Sequence, residues 1–251
     1  MEAIKENDFV ELDYTGRAAE SGEVFDTTSA EIAKASGVFD ERMAYEPAVV
    51  CIGKRHLIAG LDKQLVGKNV GQDYTFKIPA DEGFGRKNGK LIQLIATAKF
   101  KQQNMTPFPG MQVNIDGIVG TVKAVTGGRT IVDFNHPLSG RDLEYSVFVK
   151  RIVAGLSEKV KAVLRLVGIS VNSVGISVSD VSVAIEFPQE APEQLKKDLE
   201  EKLKSTISEL KSVSFTVKAA DATAKDANKE QKADIAAAAA NEVKPLQPRV
   251  P

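Results

Sequence analysis

The hydrophobic pattern of this 251-residue chain changes twice along its length, and these changes divide it into three parts. From about residue 10 to residue 150, short apolar segments alternate with a period of two between Gly-containing turns, which predicts β-strands. Between residues 157 and 218, helical and strand periodicities follow one another. From residue 219 onward the chain is mostly Ala, Lys, Asp, Glu and Asn, without an aromatic residue. We therefore expect several units and not one uniform fold.

The composition argues against several classes of protein. Lys and Arg number 33 against 34 Asp and Glu, a balance that disfavours nucleic-acid binding by overall charge. The single cysteine, Cys51, cannot close an intrachain disulfide, and no apolar run reaches the roughly 20 residues of a membrane span. The two histidines, His56 and His136, are far apart, which disfavours a zinc enzyme, and the N-terminus lacks a secretory signal pattern. We expect a cytoplasmic protein without a metal or other cofactor.

Residues 1–156 are predicted to form a β-rich domain that contains an insertion. Apolar alternation along 10–14, 74–78 and 143–149 predicts strands, and the spacing along 57–65 predicts a short helix. Residues 101–132 contain many glycines and short β-prone pieces. We interpret them as a small β unit inserted into the larger domain.

Residues 157–218 are predicted to form a compact α+β module in the order helix, strand, strand, helix, strand. Pro192 opens the second helix. Its apolar stripe consists of Leu195, Leu199, Leu203, Ile207 and Leu210. Because the core of such a module is small, we expect it to bury another face against a second copy, which would make the protein a homodimer.

Residues 219–251 are predicted to be a disordered tail or linker. The run Ala236–Ala240 buries too little surface to hold a helix against anything, although a helix induced by a partner is an alternative. The segment contains neither His nor Cys, which disfavours metal storage.

Common catalytic patterns are mostly missing from the sequence. The segments Gly83–Gly85 and Gly127–Gly128 lack the spacing of phosphate-binding loops. Cys51 lies in an apolar strand, where burial would raise the pKa of its thiol, so we interpret it as a core residue. His136 is interpreted as a turn residue held by the backbone and not as a base. Residue patterns alone thus indicate a β-rich protein with aromatic side chains along its strands.

Seven short motifs follow one another in a distinctive order. They are Val10–Gly16, Gly22–Asp26, Gly53–Leu61, Gly67–Gly71, Asp81–Gly85, Val132–Gly140 and Leu143–Val147. Together they resemble FKBP-type peptidyl-prolyl isomerases, specifically the SlyD-like, archaeal long type with a domain inserted in the flap. The resemblance covers residues 4–152, and the 157–218 module is similar to the C-terminal extension of long archaeal members.

The resemblance implies an α+β fold, in which an antiparallel half-barrel surrounds a short helix. A small inserted β domain and a C-terminal α+β module would complete it. The implied units are an isomerase domain of residues 1–100 and 133–156, an insert-in-flap domain of residues 101–132, the module of residues 157–218 and the tail of residues 219–251.

The resemblance also implies an apolar pocket between the sheet and the helix, in which the N–H of Ile58 would meet a substrate carbonyl. The side chains assigned to catalysis in this pocket are Tyr14, Phe25, Asp26, Ile58, Phe84 and Tyr145, and those assigned to substrate binding are Leu57 and Leu61. Phe84 and Leu61 stand where the family usually has Tyr and often has Trp. The alternative for the aromatic residues is ordinary core packing, and for Asp26 a turn or a helix cap.

An apolar pocket suits this reaction because no bond is broken. Resonance gives the X-Pro bond a rotational barrier of roughly 18–20 kcal/mol. The twisted amide is less polar than the planar one, so apolar walls favour the twisted state over the ground state. Asp26 would orient a polar neighbour or stabilise the carbon of the moving carbonyl, and no general acid or base is required.

The inserted unit is expected to bind unfolded chains, as it does in SlyD-like relatives. Flexible or bulky apolar groups suit such binding, and here they are Met105, Phe108, Met111, Ile115 and Ile118. Filling the unit's own core is the alternative role. The expected function is peptidyl-prolyl isomerase and folding chaperone, with unfolded or partly folded proline-containing polypeptides as partners and no nucleic acid or membrane. A non-catalytic holdase or peptide-binding module on the same scaffold is the alternative function.

Overall fold

The computed structural model describes residues 2–218, which form twelve strands, five α-helices and two short 3-10 helices. The strands are β1 (Phe9–Ala18), β2 (Val24–Thr27), β3 (Ala48–Cys51), β4 (Gln72–Ile78), β5 (Ile92–Ala96), β6 (Gln112–Ile115), β7 (Ile118–Thr126), β8 (Arg129–Asp133), β9 (Leu143–Ile152), β10 (Gly175–Ser179), β11 (Ser182–Phe187) and β12 (Ser212–Val217). The α-helices are α1 (Ala30–Ala35), α2 (Ala59–Leu65), α3 (Thr97–Gln102), α4 (Leu156–Leu166) and α5 (Glu193–Thr206), and the 3-10 helices span Ala80–Glu82 and Gly89–Leu91.

The main sheet is antiparallel and has five strands in the order β2-β1-β9-β4, with β3 also paired to β1. Successive side chains of a strand point to opposite faces, so Val10, Leu12 and Tyr14 of β1 share one face. All three are buried in a core that also contains Leu61 and Leu65 of α2. The predicted α+β class, with a helix packed on an antiparallel sheet, is confirmed.

The strand β1 changes its partner part way along its length. Its first half pairs with β3 as far as the couple Leu12 and Ala48, and its second half pairs with β2 from the couple Thr15 and Thr27 onward. Between the two halves, the N–H of Tyr14 donates to a side-chain oxygen of Thr28 at 3.0 Å. On this edge of β1, Thr28 therefore supplies hydrogen-bonding partners for the backbone of Tyr14.

The inserted unit is a four-stranded sheet in the order β5-β8-β7-β6 with α3 packed on it. Its core consists of Phe100, Val113, Val122 and Val132. The unit starts with β5 at Ile92, so the predicted boundary at residue 101 is wrong and falls inside α3. The apolar run of β5 looked like part of the main domain, and only its pairing with β8 assigns it to the insertion.

The two chain crossings between the main domain and the inserted unit are held together by Asn135. Its side-chain oxygen accepts from the N–H of Asn88 at 2.8 Å, and its amide nitrogen donates to the carbonyl of Asn88 at 3.0 Å. The same nitrogen donates to a carboxylate oxygen of Asp133 at 2.7 Å. These hydrogen bonds fix where the insertion leaves and rejoins the main domain.

The C-terminal module has the predicted order of elements and a three-stranded sheet, in which β11 pairs with β10 antiparallel and with β12 parallel. Val160 and Leu164 of α4 meet Leu199 and Leu203 of α5 in a second large core. The helix α5 ends at Thr206, so the two last residues of the predicted stripe lie beyond the helix but are still buried.

The second core includes residues of the main domain. Phe9 of β1 and Cys51 of β3 are directly paired across the two strands, and both pack with Val153 against the module. The thiol of Cys51 contacts the carbonyl of Thr206 at 3.8 Å, and burial raises the pKa of this thiol to about 11. Cys51 is therefore a core residue, as expected. The main domain covers one face of the module, and the homodimer remains a prediction.

Three observations concern the described range as a whole. Within residues 2–218, no helix combines the length and apolar character needed to cross a membrane. The same residues contain no group of three or more His, Cys, Asp or Glu that could hold a metal ion. The predicted tail of residues 219–251 lies outside the described range.

His56 lies buried next to the junction between the main domain and the module. Its Nδ1 accepts from the N–H of Cys51 at 3.0 Å, which places the proton of the neutral ring on Nε2. Within the described residues, Nε2 has no hydrogen-bonding partner. Burial, followed by the charges of Lys202 and Lys54, lowers the pKa of His56 to about 4.

We expect the protein to lose stability as the pH falls from about 6.5 to about 4. In this window the imidazole of the unfolded chain binds a proton that the folded chain does not, so protonation favours unfolding. The pKa falls from the ordinary value of 6.5 to about 4 on folding. At 1.36 kcal/mol per pKa unit, the free energy of unfolding should therefore fall by about 3 kcal/mol over this window. Urea denaturation at a series of pH values measures the loss. His56→Asn, which keeps an acceptor for Cys51, should flatten the pH profile, and an unchanged slope would contradict the assignment.

Candidate active site

Three aromatic side chains from neighbouring strands meet on the inner face of the main sheet. Tyr14 lies on β1, Phe25 on β2 and Tyr145 on β9, and β1 runs between the other two strands. The ring centroids are 6.0 Å apart for Tyr14 and Tyr145, and 5.8 Å apart for Phe25 and Tyr145 at an interplanar angle of 78°. These separations and the edge-on contact are favourable for aromatic pairs. The rings form one apolar wall.

Gly16 makes this contact between rings possible. In the sheet it pairs with Asp26 on one side and with Tyr145 on the other. A Cβ atom at this position would lie 2.8 Å from Phe25 and 2.9 Å from Tyr145, which is too close for any side chain. In the sequence, Gly16 stands out only as the last residue of the first motif. A glycine inside an otherwise regular strand is the signal that indicates such a close approach.

Asp26 is the charged group in this apolar wall. It is 5 % exposed, and its carboxylate accepts a hydrogen bond of 2.8 Å from the hydroxyl of Tyr14. Burial, and then the charge of Asp26, raises the pKa of Tyr145, which therefore stays protonated. The site thus holds a fixed, buried carboxylate between two tyrosines.

The start of α2 faces the aromatic wall. Leu57 and Ile58 precede the helix, Leu61 lies in its first turn, and all three are buried in the same core as the aromatic rings. Ile58 is the N-cap residue, and its carbonyl accepts from the N–H of Asp62. Because the first N–H groups at a helix start have no acceptor within the helix, the N–H of Ile58 is suited to meet an outside carbonyl.

Asp62 anchors this part of the site, a role that none of the seven sequence motifs predicted. Both of its carboxylate oxygens lie 3.0 Å from the N–H of Gly53 and accept from it, which fixes the turn that leads to Leu57 and Ile58. Burial raises the pKa of Asp62, although the backbone donors oppose this effect. An acidic residue on the inner side of a short apolar helix is the sequence signal that could have indicated this role.

Phe84 closes the site from the side of the insertion. Its ring lies 6.4 Å from Phe25, nearly perpendicular to it, and stacks on His136 at 4.6 Å with an interplanar angle of 10°. The hydroxyl of Ser139 donates to the carbonyl of Phe84 at 3.0 Å. The Nδ1 of His136 accepts from the N–H of Leu138, as expected for a turn residue. The stacking on Phe84 is an additional role that sequence spacing does not indicate.

The structure brings together one group of predicted site residues and leaves another group elsewhere. The residues that meet at the aromatic wall are Tyr14, Phe25, Asp26, Leu57, Ile58, Leu61, Phe84 and Tyr145. Met105 and Met111 instead pack against the core of the inserted unit, so core filling accounts for both. Phe108 is 59 % exposed on the same unit. Catalytic roles for the first group remain predictions.

Comparisons with known proteins agree with this geometry. Residues 1–102 match the family model described as FKBP-type peptidyl-prolyl cis-trans isomerase, and residues 93–138 match the model described as FKBP26, IF domain. The short-type peptidyl-prolyl cis-trans isomerase of Methanocaldococcus jannaschii is 32% identical over 155 residues, which cover 62% of this chain and 98% of the relative. The FKBP-type 16 kDa peptidyl-prolyl cis-trans isomerase of Escherichia coli K12 is 29% identical over 131 residues, which cover 51% of this chain and 83% of the relative. The FKBP-type peptidyl-prolyl cis-trans isomerase SlyD of Haemophilus influenzae is 31% identical over 114 residues, which cover 44% of this chain and 60% of the relative.

Tyr14→Phe should destabilise the protein more than Tyr145→Phe. The first change removes a hydroxyl that donates to the buried carboxylate of Asp26 and keeps the ring. Removing a donor from a buried charged group costs about 1–3 kcal/mol of the free energy of unfolding. Tyr145→Phe also keeps a ring of the same cluster and should cost less than about 1 kcal/mol. Chemical denaturation measures both, and an equal loss in the two variants would contradict the importance of this hydrogen bond.

Proposed function

The chain belongs to the FKBP-type peptidyl-prolyl cis-trans isomerases and carries an IF domain, and we propose that its cleft and its inserted sheet act together, one as catalyst and the other as chaperone. The substrate class of the family is the X-Pro bond of polypeptides. The observation that carries the proposal for the cleft is the buried carboxylate of Asp26, held by Tyr14 inside an aromatic wall.

Catalysis in the cleft would act on a rotation and not on a bond-breaking step. Uncatalysed X-Pro exchange takes roughly 10–100 s. Shortening it to milliseconds requires about 10⁴-fold acceleration, which corresponds to about 5 kcal/mol. Phe25, Tyr145 and Ile58 would surround the proline ring and exclude water, which favours the less polar twisted amide over the planar one.

The polar groups of the cleft would orient the substrate amide. The N–H of Ile58 would donate to a carbonyl of the substrate backbone, which fixes the part of the peptide that does not rotate. The carboxylate of Asp26, held by Tyr14, would face the carbon of the rotating carbonyl. A group that is fixed before the substrate binds does not reorganise during the reaction, which is why its buried position favours catalysis.

Phe84 would contact the substrate through its apolar ring and would not form a hydrogen bond with it. It stands at the edge of the cleft and lacks the hydroxyl of the Tyr that the family usually has there. Its ring is held in place by the stacked ring of His136. The missing hydrogen bond to the substrate would lower the activity, but the apolar wall on this side is kept.

The proposed chaperone activity of the inserted sheet is supported by its exposed apolar residues. More than half of the surface of each of four such side chains is exposed, namely Leu94, Phe108, Ile118 and Val119. Exposed large apolar side chains favour contact with other polypeptides, because binding removes their surface from water. The chain rejoins the main domain at His136, which touches Phe84, so a bound client would be held near the cleft and its local concentration there would rise.

In an assay with a short X-Pro peptide, we expect Asp26→Leu to lower kcat/KM by about tenfold, equivalent to about 1.4 kcal/mol of transition-state stabilisation.

In the same assay, Phe84→Tyr should leave kcat/KM equal or raise it, because this change adds the missing hydroxyl. A loss of activity in the Phe84→Tyr variant would contradict the position assigned to this ring. If micromolar folded wild-type protein accelerated neither the peptide nor the refolding of a proline-limited protein, the isomerase function itself would be refuted.

The double variant Phe108→Ser and Ile118→Lys should abolish the suppression of aggregation of an unfolded client. The short-peptide kcat/KM should stay unchanged, because neither residue is near the cleft. Light scattering of a chemically denatured client on dilution measures the effect. The control is Val217→Lys, which changes an exposed apolar residue of β12 outside the inserted sheet. An equal loss in the control would show that the inserted sheet has no special role.

A further inference from the structure

A cavity of about 630 Å³ lies between the C-terminal module and the segment that leads into β3. Its size falls within the range of about 300–1,000 Å³ that is usual for ligand pockets. On one side it is lined by Met43, Pro47 and Ala48, and on the other by Arg165, Leu166 and Val171. The wall on the side of the module is therefore provided by the end of α4 and the turn after it.

The cavity shares two lining residues with the core that contains the candidate active site. Tyr14 belongs to the aromatic wall, Ala48 packs against the same core, and both also line the cavity. Thr28, whose side-chain oxygen accepts from the N–H of Tyr14 where β1 changes its partner, also lines the cavity. A peptide that leaves the cleft past Tyr14 would therefore enter this space.

Leu166 is the apolar residue of the module that lines this cavity without also packing into a core. It is the last residue of α4 and is half-buried, yet it belongs to none of the three cores of the described residues. The neighbouring α4 residues Val163 and Leu164 both pack into the core of the module. An apolar side chain outside the core, at the wall of an open cavity, is available to contact a ligand.

The rim of the cavity is polar and connects the two walls. Arg165 of α4 forms an ion pair of 3.0 Å with Glu46, and both side chains are almost half exposed. An exposed pair of this kind adds little stability, but it holds the segment before β3 against the helix. The result is an apolar lining with a charged rim, an arrangement that is common in ligand pockets.

We propose that this cavity is a second subsite of the isomerase, which binds apolar residues of the client polypeptide that flank the X-Pro bond. The C-terminal module would thus select substrates in addition to extending the core. The inference rests on the proposed isomerase function, because the flanking residues reach the cavity only when the X-Pro bond lies in the cleft. A peptide of a few residues would fill the cleft alone, whereas a longer peptide would fill both.

The test compares a tetrapeptide that has a central X-Pro bond with a dodecapeptide in which the same core is flanked by Leu and Val on both sides. In the full-length protein, Leu166→Lys should raise the KM for the dodecapeptide about tenfold, since it removes the burial of about one aliphatic side chain. The tetrapeptide kcat/KM should stay unchanged. Lys is favourable at a helix C-terminus, so the fold should be kept. The matched control Val178→Lys changes an exposed apolar residue of the same module outside the cavity and should alter neither value.

Three results would overturn the subsite. The first is that Leu166→Lys leaves the preference for the dodecapeptide unchanged. The second is that the variant changes the molar mass in light scattering, which would assign the cavity to contact with a second copy. The third is that a synthetic peptide of residues 219–251 competes with the dodecapeptide for wild type but not for the variant, which would assign the cavity to this chain's own C-terminal segment. Failure of the isomerase function would be recognised separately, because wild type would then not accelerate the tetrapeptide.

Discussion

The strand β1 buries apolar side chains on both of its faces, and the two large cores of the molecule depend on it. Val10, Leu12 and Tyr14 point into the core that supports the cleft, while Phe9 packs on the opposite side with Cys51 against the C-terminal module. The module is therefore not a separate domain on a linker, since its core begins on the back of the main sheet. A force that moves the module would act directly on the strand that carries Tyr14.

The candidate active site combines low exposure with a fixed negative charge, and these two properties support each other. Burial strengthens electrostatic interactions by excluding water, but an isolated buried charge would be costly. The hydroxyl of Tyr14 stabilises the carboxylate of Asp26, and the aromatic rings exclude the solvent that would screen it. Gly16 is required for this arrangement because any larger residue would separate the rings of Phe25 and Tyr145.

The distribution of apolar surface differs between the units in a way that matches their proposed roles. The main domain and the module bury most of their large apolar side chains in two extended cores. The inserted unit has a core of four fully buried residues and leaves Phe108, Ile118 and Val119 exposed. A small sheet cannot cover all of its apolar residues, and the remaining ones form the exposed surface on which the proposed chaperone role depends. The stacked pair Phe84 and His136 then links this surface to the cleft.

Local sequence patterns predicted the strands of the main sheet and the two helices of the module, whereas the residues that meet around Asp26 were implied by the family resemblance that the seven motifs carry. Periodicity is a local property, and it is strong where a strand or helix has one buried face. The tertiary structure alone decided that β5 belongs to the insertion, that Met105 and Met111 fill its core, and that His136 stacks on Phe84. It also decided that Phe9 and Cys51 dock the module. These features depend on contacts between residues far apart in the chain, and a pattern within one segment carries no information about what its exposed face will meet.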